Sequence, residues 1–170
     1  MNHFFNTRLR DISFRELGPG DCDLLFEWRN KPEIISLSAN QKPVSWVEHL
    51  VWFDKVISDR NSHIVLITEE RQPIGQVRFE KTDEITAEIG IYLIPSSVGQ
   101  GRGSRLIREA SVIAKHKWPN LQYLKAIIRN DNSRSIRAFE AAAFEFDLDK
   151  GSRNQNQELI RMTLDLSKLK

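Results

Sequence analysis

In SVGQGRGSRL, residues 97–106, Gly99, Gly101 and Gly103 alternate with other residues directly ahead of an apolar pattern of helical period. A glycine-rich turn that feeds a helix N-terminus offers several backbone N–H groups without internal acceptors, backed by the positive end of the helix dipole. Such a turn suits an anion, and phosphate is its natural guest. Glycine fits because a side chain would hold the anion off the amides, and because the chain there is free to take positive φ. Two other phosphate loops are excluded by spacing. A GxGxxG fingerprint starting at Gly99 would need glycine at Ser104, and a P-loop would need GK[ST]. The alternative for this stretch is an ordinary tight turn relieved by its glycines. Metal is not expected, since His3, His49, His63 and His116 have no close ligand spacing, and Cys22 reads as a small core residue with no basic cluster arranged to activate it.

The elements that must carry this loop alternate along the chain. DISFREL (11–17) reads as a strand closed by Gly18-Pro19-Gly20, followed by a helix that Lys31-Pro32 stops. Residues 30–43 have no clean period and read as a loop with a short turn. Ser45 and Glu48 form a capping-box signature for a helix over about 46–58. Residues 62–68, 73–81 and 85–94 read as three strands of an antiparallel meander with short polar links. A helix over 103–117 buries Leu106, Ile107, Ala110, Ile113 and Ala114 and ends at Trp118-Pro119-Asn120. A strand at 121–129, a helix at 130–143 and a closing strand pair around Gly151 complete the order. The 103–117 helix is a right-handed crossover, which makes strands 85–94 and 121–129 parallel.

Composition bounds the class. With 170 residues and 40% hydrophobic content, the chain is expected to form a single domain over 1–170. Its 25 basic and 23 acidic residues nearly balance, which argues against a nucleic-acid or anionic membrane partner. One cysteine, no signal-peptide pattern in residues 1–20 and no apolar run of membrane-spanning length read as cytoplasmic.

AEIGIYLIPSSVGQGRGSRLI (87–107) resembles the acetyl-CoA-binding segment of the GNAT superfamily of N-acetyltransferases, whose signature is [Q/R]-x-x-G-x-[G/A] between a strand and a helix. Gly101 and Gly103 fill the glycine positions, whereas Val98 stands where Gln or Arg is usual. NDNSRSIRAFEAAAF (130–144) is similar to the family's later N-x-x-[SA]-x-x-x-[YF]-E-x-x-x-F stretch, through Asn132, Ser135, Phe139, Glu140 and Phe144. The element order matches over roughly residues 9–166.

The resemblance implies an α+β (mixed α/β) GNAT-like fold: a central, mainly antiparallel twisted sheet with a splayed parallel strand pair, flanked by about four helices. Acetyl-CoA, the implied cofactor, would lie in the V between strands 85–94 and 121–129. Its pantetheine would pair with backbone from Ile91 through Leu93 to Ile94, and its pyrophosphate would rest on the loop after Val98, on amides of Gly99, Gln100, Gly101, Arg102, Gly103 and Ser104. Asn132 would bond the pantetheine arm, with Ser135 and Phe139 beside it. Arg102, Arg105 or Arg137 would meet the nucleotide phosphates.

Acetyl transfer needs an uncharged amine beside a thioester carbonyl, so a carboxylate must take the amine's proton, directly or through one water. Glu88 matches the family's general-base position, with Glu80 on the neighbouring strand in reserve. Strand alternation puts Glu88, Gly90 and Tyr92 on one face and Ile89, Ile91 and Leu93 on the other. Many members carry a tyrosine beside the leaving sulfur where this chain has Phe139. Ser135, Tyr92 or water remain as proton donors, and release of an unprotonated thiol of pKa near 8.5 at pH 7 costs about 2 kcal/mol.

FEWRNKPEI and SWVEHLVWF resemble a subgroup that acetylates nucleotide-activated amino sugars, as in pseudaminic acid and lipopolysaccharide sugar synthesis. That resemblance points the acceptor to Trp28, Arg29, Asn30, His49 and Trp52, and Arg78 and Tyr92 are placed to line the same cleft. Packing and a helix-dipole role compete for the aromatic residues, His49 and Arg29. Three functions stay open: N-acetylation of a small-molecule amine on a nucleotide sugar, acetylation of a protein N-terminus or ribosomal protein, and acyl-CoA binding without turnover. Either a monomer or a homodimer fits.

Overall fold

The computed structural model describes residues 12–37, 41–147 and 158–169. Among these, the chain runs β1 (Ile12–Glu16), α1 (Cys22–Arg29), α2 (Pro32–Leu37), α3 (Trp46–Ser58), β2 (Ser62–Glu69), β3 (Gln72–Lys81), β4 (Thr86–Leu93), α4 (Gly103–Lys117), β5 (Tyr123–Arg129), α5 (Ser133–Ala141), β6 (Glu145–Phe146) and β7 (Leu159–Asp165). The seven strands form one mixed sheet in the order β1-β2-β3-β4-β5-β7-β6, antiparallel throughout except for the β4–β5 pair. This is the expected GNAT-like fold. The Gly151 turn of the closing strand pair lies outside the described residues.

Local chemistry accounts for several boundaries. Ser45 Oγ accepts from the Glu48 N–H and Glu48 Oε2 accepts from the Ser45 N–H at 2.9 Å, so α3 starts on a closed capping box. Residues 32–37 form a helix where only a short turn in a loop is expected. Pro32, which ends the run from α1, also supplies the first residue of α2, where its missing N–H costs nothing. The additional helix brings the described α-helices to five rather than about four. Glu70 and Arg71 join β2 to β3 with φ of 50° and 69°, values that suit a two-residue type I′ hairpin.

Two apolar clusters sandwich the sheet. The larger packs Leu106, Ile107, Ala110 and Ala114 of α4 and Phe139 of α5 against Val65, Ile67, Val77, Phe79, Ala87 and Ile89. The smaller packs Leu25, Trp28 and Phe53 of α1 and α3 against Leu66, with Tyr92 at its edge. Both faces of β2 are therefore covered, which explains a strand buried from His63 through Thr68.

β4 and β5 pair only at Thr86–Tyr123, Ala87–Leu124 and Glu88–Lys125. Beyond Glu88 they separate, while β4 remains paired to β3 as far as Leu93 and β5 to β7 as far as Arg129. The sheet thus carries a V whose apex is at Glu88.

Candidate active site

The glycine loop lies at the mouth of this V. Gly99 and Gly101 have φ of +86° and +71°, left-handed values that residues with a Cβ rarely adopt, and open space surrounds both. Gly103 serves another purpose: a Cβ there would come within 3.3 Å of Ala138 Cβ, so α4 and α5 approach closely at that point. The Val98 N–H donates to the Pro95 carbonyl, and the Leu106 N–H donates to the Arg102 carbonyl. Between them, among the described residues, the amides of 99–105 have no main-chain acceptor. Those amides, with the positive end of the α4 dipole behind them, have the chemistry to accept an anion.

The inner edge of β4 from Ile89 to Leu93 is free of β5, and its main chain is available to an extended ligand arm. These unpaired groups fit the pantetheine and pyrophosphate of coenzyme A.

Side-chain parity on β4 follows the expected alternation. Ala87 and Ile89 enter the larger cluster, with Ile91 and Leu93 packed against it, while Tyr92 joins the smaller cluster on the opposite face. Glu88 and Gly90 are exposed on that opposite face, and nothing lies within 4 Å of a Cβ placed on Gly90. Across the β3–β4 register, Glu80 partners Glu88, Arg78 partners Gly90 and Gln76 partners Tyr92. The Arg78 guanidinium bonds Glu80 and lies 5.8 Å from the Trp52 ring centre. Carboxylates, an arginine and aromatic rings therefore share the sheet face on which α1 and α3 pack.

Tyr92 contacts the Trp28 ring edge-on at 5.9 Å. Burial pushes its phenol above the usual value, partly offset by the Arg29 charge, so Tyr92 keeps its proton at neutral pH.

Other expected site residues have internal partners. His49 is 2% exposed, its Nε2 is 2.9 Å from the Cys22 carbonyl, and the rings of Phe26, Trp46, Trp52 and Phe53 surround it. It ties α3 to α1. Asn30 bonds the Val44 main chain through both ends of its amide, at 2.9 and 2.8 Å. Asn132 caps α5 by accepting from the Ser135 N–H at 3.1 Å, and Phe139 packs edge-on against Phe144 in the core. Arg105 pairs with Glu109, and Arg137 is exposed on α5. The Arg102 guanidinium is turned to Glu69 and Gln100. Cys22 is half-buried, and burial raises its thiol pKa, as fits a packing residue.

Two further residues adjoin these positions: Gln76 shares the face of Arg78 by strand parity and stands in register with Tyr92, whereas Glu69, bonded to Arg102, lies 33 residues from it and carries no local sequence signal.

A family profile described as an acetyltransferase (GNAT) domain matches residues 11–145. The chain is similar to Acetyltransferase PseH of Campylobacter jejuni subsp. jejuni (strain 81-176), with 30% identity over 141 residues, covering 81% of this chain and 86% of that protein. Among solved structures, spermidine N-acetyltransferase from Vibrio cholerae, in complex with CoA and spermine, superposes with a TM-score of 0.79 at 21% identity, covering 93% and 97% of the two chains. The aminoglycoside acetyltransferase AAC(6')-Ib, in complex with coenzyme A and kanamycin, superposes with a TM-score of 0.73 at 20% identity, covering 91% and 95%.

Proposed function

The chain belongs to the GNAT acetyltransferase family, and from that membership we propose that it moves the acetyl group of acetyl-CoA to the primary amine of a nucleotide-linked amino sugar, with Glu88 as general base. One observation carries the reading: the V that opens beyond Glu88 leads along an unpaired β4 edge to the free amides of 99–105. Bound along that path, acetyl-CoA supplies the acetyl group as a thioester.

The protein's own residues then do three things. Main-chain groups of Ile91 and Leu93 and the loop amides hold the donor in one orientation, so that reaction with the acceptor becomes effectively intramolecular. Ile94, expected to share in this, is already occupied, since its N–H donates to the Ile74 carbonyl and its carbonyl accepts from the Ser97 N–H. Glu88 takes a proton from the acceptor nitrogen, directly or through one water, which frees the lone pair for attack on the acyl carbon. A hydroxyl of Ser135 or Tyr92, or water, returns a proton to the departing sulfur.

For the acceptor, we assign the groove floor to Arg78, Gly90 and Tyr92, and its roof to Trp52 and Arg29. A guanidinium suits a diphosphate, and an aromatic ring suits a sugar or base face. Trp28, Asn30 and His49 support that roof from within. The amino-sugar class draws on the resemblance of the segments around Trp28 and Trp52 and on the similarity to PseH. We read the whole chain as one cytoplasmic N-acetyltransferase domain, working as a monomer or homodimer. No described helix is long and apolar enough to cross a membrane.

Thiol release from acetyl-CoA, measured against nucleotide-linked amino sugars, free amino sugars, spermidine and short peptides, tests the proposal. Nucleotide-linked amino sugars should give the highest kcat/KM, by roughly tenfold or more. Preference for peptide or polyamine overturns the acceptor class. Coenzyme A binding without thiol release from any amine overturns the catalytic reading.

A further inference from the structure

The loop that we read as a diphosphate cradle is poor in ties of its own. It contains two residues at positive φ, both glycines, and its amides from 99 to 105 have no main-chain acceptor among the described residues. Glycine-rich chain has much conformational freedom to lose, and a ligand that must order it binds more weakly for that reason. Something must hold the loop open in advance.

Arg102, between Gly101 and Gly103, supplies that hold. Its guanidinium reaches across the sheet end to Glu69, the last residue of β2, with Nη1 to Oε1 at 2.7 Å and Nη2 to Oε2 at 3.5 Å. Nη2 also bonds the Gln100 side-chain oxygen, so the fork grips the loop at two residues. The pair is secluded, with side chains only 10% and 11% exposed. Its anchor is rigid, because Glu69 is registered with Ile12 of β1 and with Gln72 of β3. Arg102 also occupies the N-cap position of α4, its carbonyl accepting from the Leu106 N–H, so the clamp fixes the helix end and the loop together. A guanidinium at a helix N-terminus opposes the helix dipole, and the Glu69 carboxylate offsets that.

We propose that Glu69 and Arg102 are positioning residues for the donor: their ion pair preorganises the 99–105 amides for the diphosphate, and Arg102 does not itself serve as a phosphate ligand. The inference rests on the diphosphate reading of the loop.

Binding of coenzyme A by calorimetry, and of pantetheine, which lacks the diphosphate, by ligand-observed NMR, tests it on the full chain. Glu69→Gln should weaken coenzyme A by roughly tenfold or more and leave pantetheine within about twofold. A lone buried guanidinium destabilises the fold, so the double variant Glu69→Gln/Arg102→Gln, which removes one charge of each sign, is the second arm. It should melt near the wild type and still bind coenzyme A roughly tenfold more weakly. Unchanged coenzyme A affinity in the double variant, or equal weakening of both ligands, overturns the proposal. Tighter coenzyme A binding by Glu69→Gln also overturns it, since a released Arg102 would then be reaching the phosphates. Gly101→Val separates the two levels: if it leaves coenzyme A affinity intact, the diphosphate reading itself fails, whereas its loss beside unaffected Glu69 variants removes the clamp alone.

Discussion

Glu88 on β4 faces Glu80 on β3 across the antiparallel register, and only Glu80 of the two carboxylates is bonded to Arg78. Directly opposed partners share a face, and like charges so arranged repel. Arg78 compensates Glu80, while Glu88 stands where β4 leaves β5, with Lys125 as its register neighbour.

Glu88→Gln should therefore lower kcat by about 10²–10⁴-fold, the usual worth of a general base. The acetyl-CoA dissociation constant should stay within about twofold, because the donor is held elsewhere. Steady-state kinetics beside calorimetry checks the split. Near-normal turnover at neutral pH would remove Glu88 from the role.

His49→Ala should act on stability. The ring fills the α1–α3 contact and bonds the Cys22 carbonyl, so truncation should cost about 2–4 kcal/mol in cavity and lost hydrogen bond. The melting temperature should fall while acceptor KM in the folded fraction is unchanged. A normal melting temperature with a raised KM would assign the imidazole to the acceptor instead.

His63 makes stability fall with acid. It is 5% exposed, stacked on Phe79 and edge-on to Trp118. Burial lowers its pKa, and nearby Glu16, which raises it, does not fully compensate. The unfolded imidazole titrates near 6.5. Below that pH the unfolded chain binds more protons than the folded one, so stability is lost as pH falls from about 6.5 toward the folded value. His63→Phe should flatten the dependence of melting temperature on pH between about 7 and 5. An unchanged slope would mean that other groups carry it.

The parts of the fold written in local chemistry were legible in the sequence. The 46–58 helix follows from the Ser45–Glu48 box, and the 103–117 helix from its apolar face and the Trp118-Pro119 stop. The parity of Glu88, Gly90 and Tyr92 follows from the period of a strand and an absence of bulges in β4. What stayed hidden depends on distant partners. Six residues are too few to show a helical period, so α2 looked like loop. Nothing near Asn30 reveals that Val44 will occupy its amide, and nothing near Arg102 reveals Glu69. Residue type told which groups were able to meet a ligand, and tertiary packing decided which were already taken.

The most direct measurement is calorimetric titration of coenzyme A into the wild-type chain and into Gly101→Val. Gly101 has a φ of +71° with open space about it, so valine there forces the backbone out of its left-handed state and covers the amides. The wild type should bind one equivalent with a dissociation constant in the range of about 1 μM to 1 mM, the span of ordinary enzyme–substrate constants, and the variant should show no detectable heat of binding. No association with the folded wild type, or equal affinity in the variant, would contradict the account.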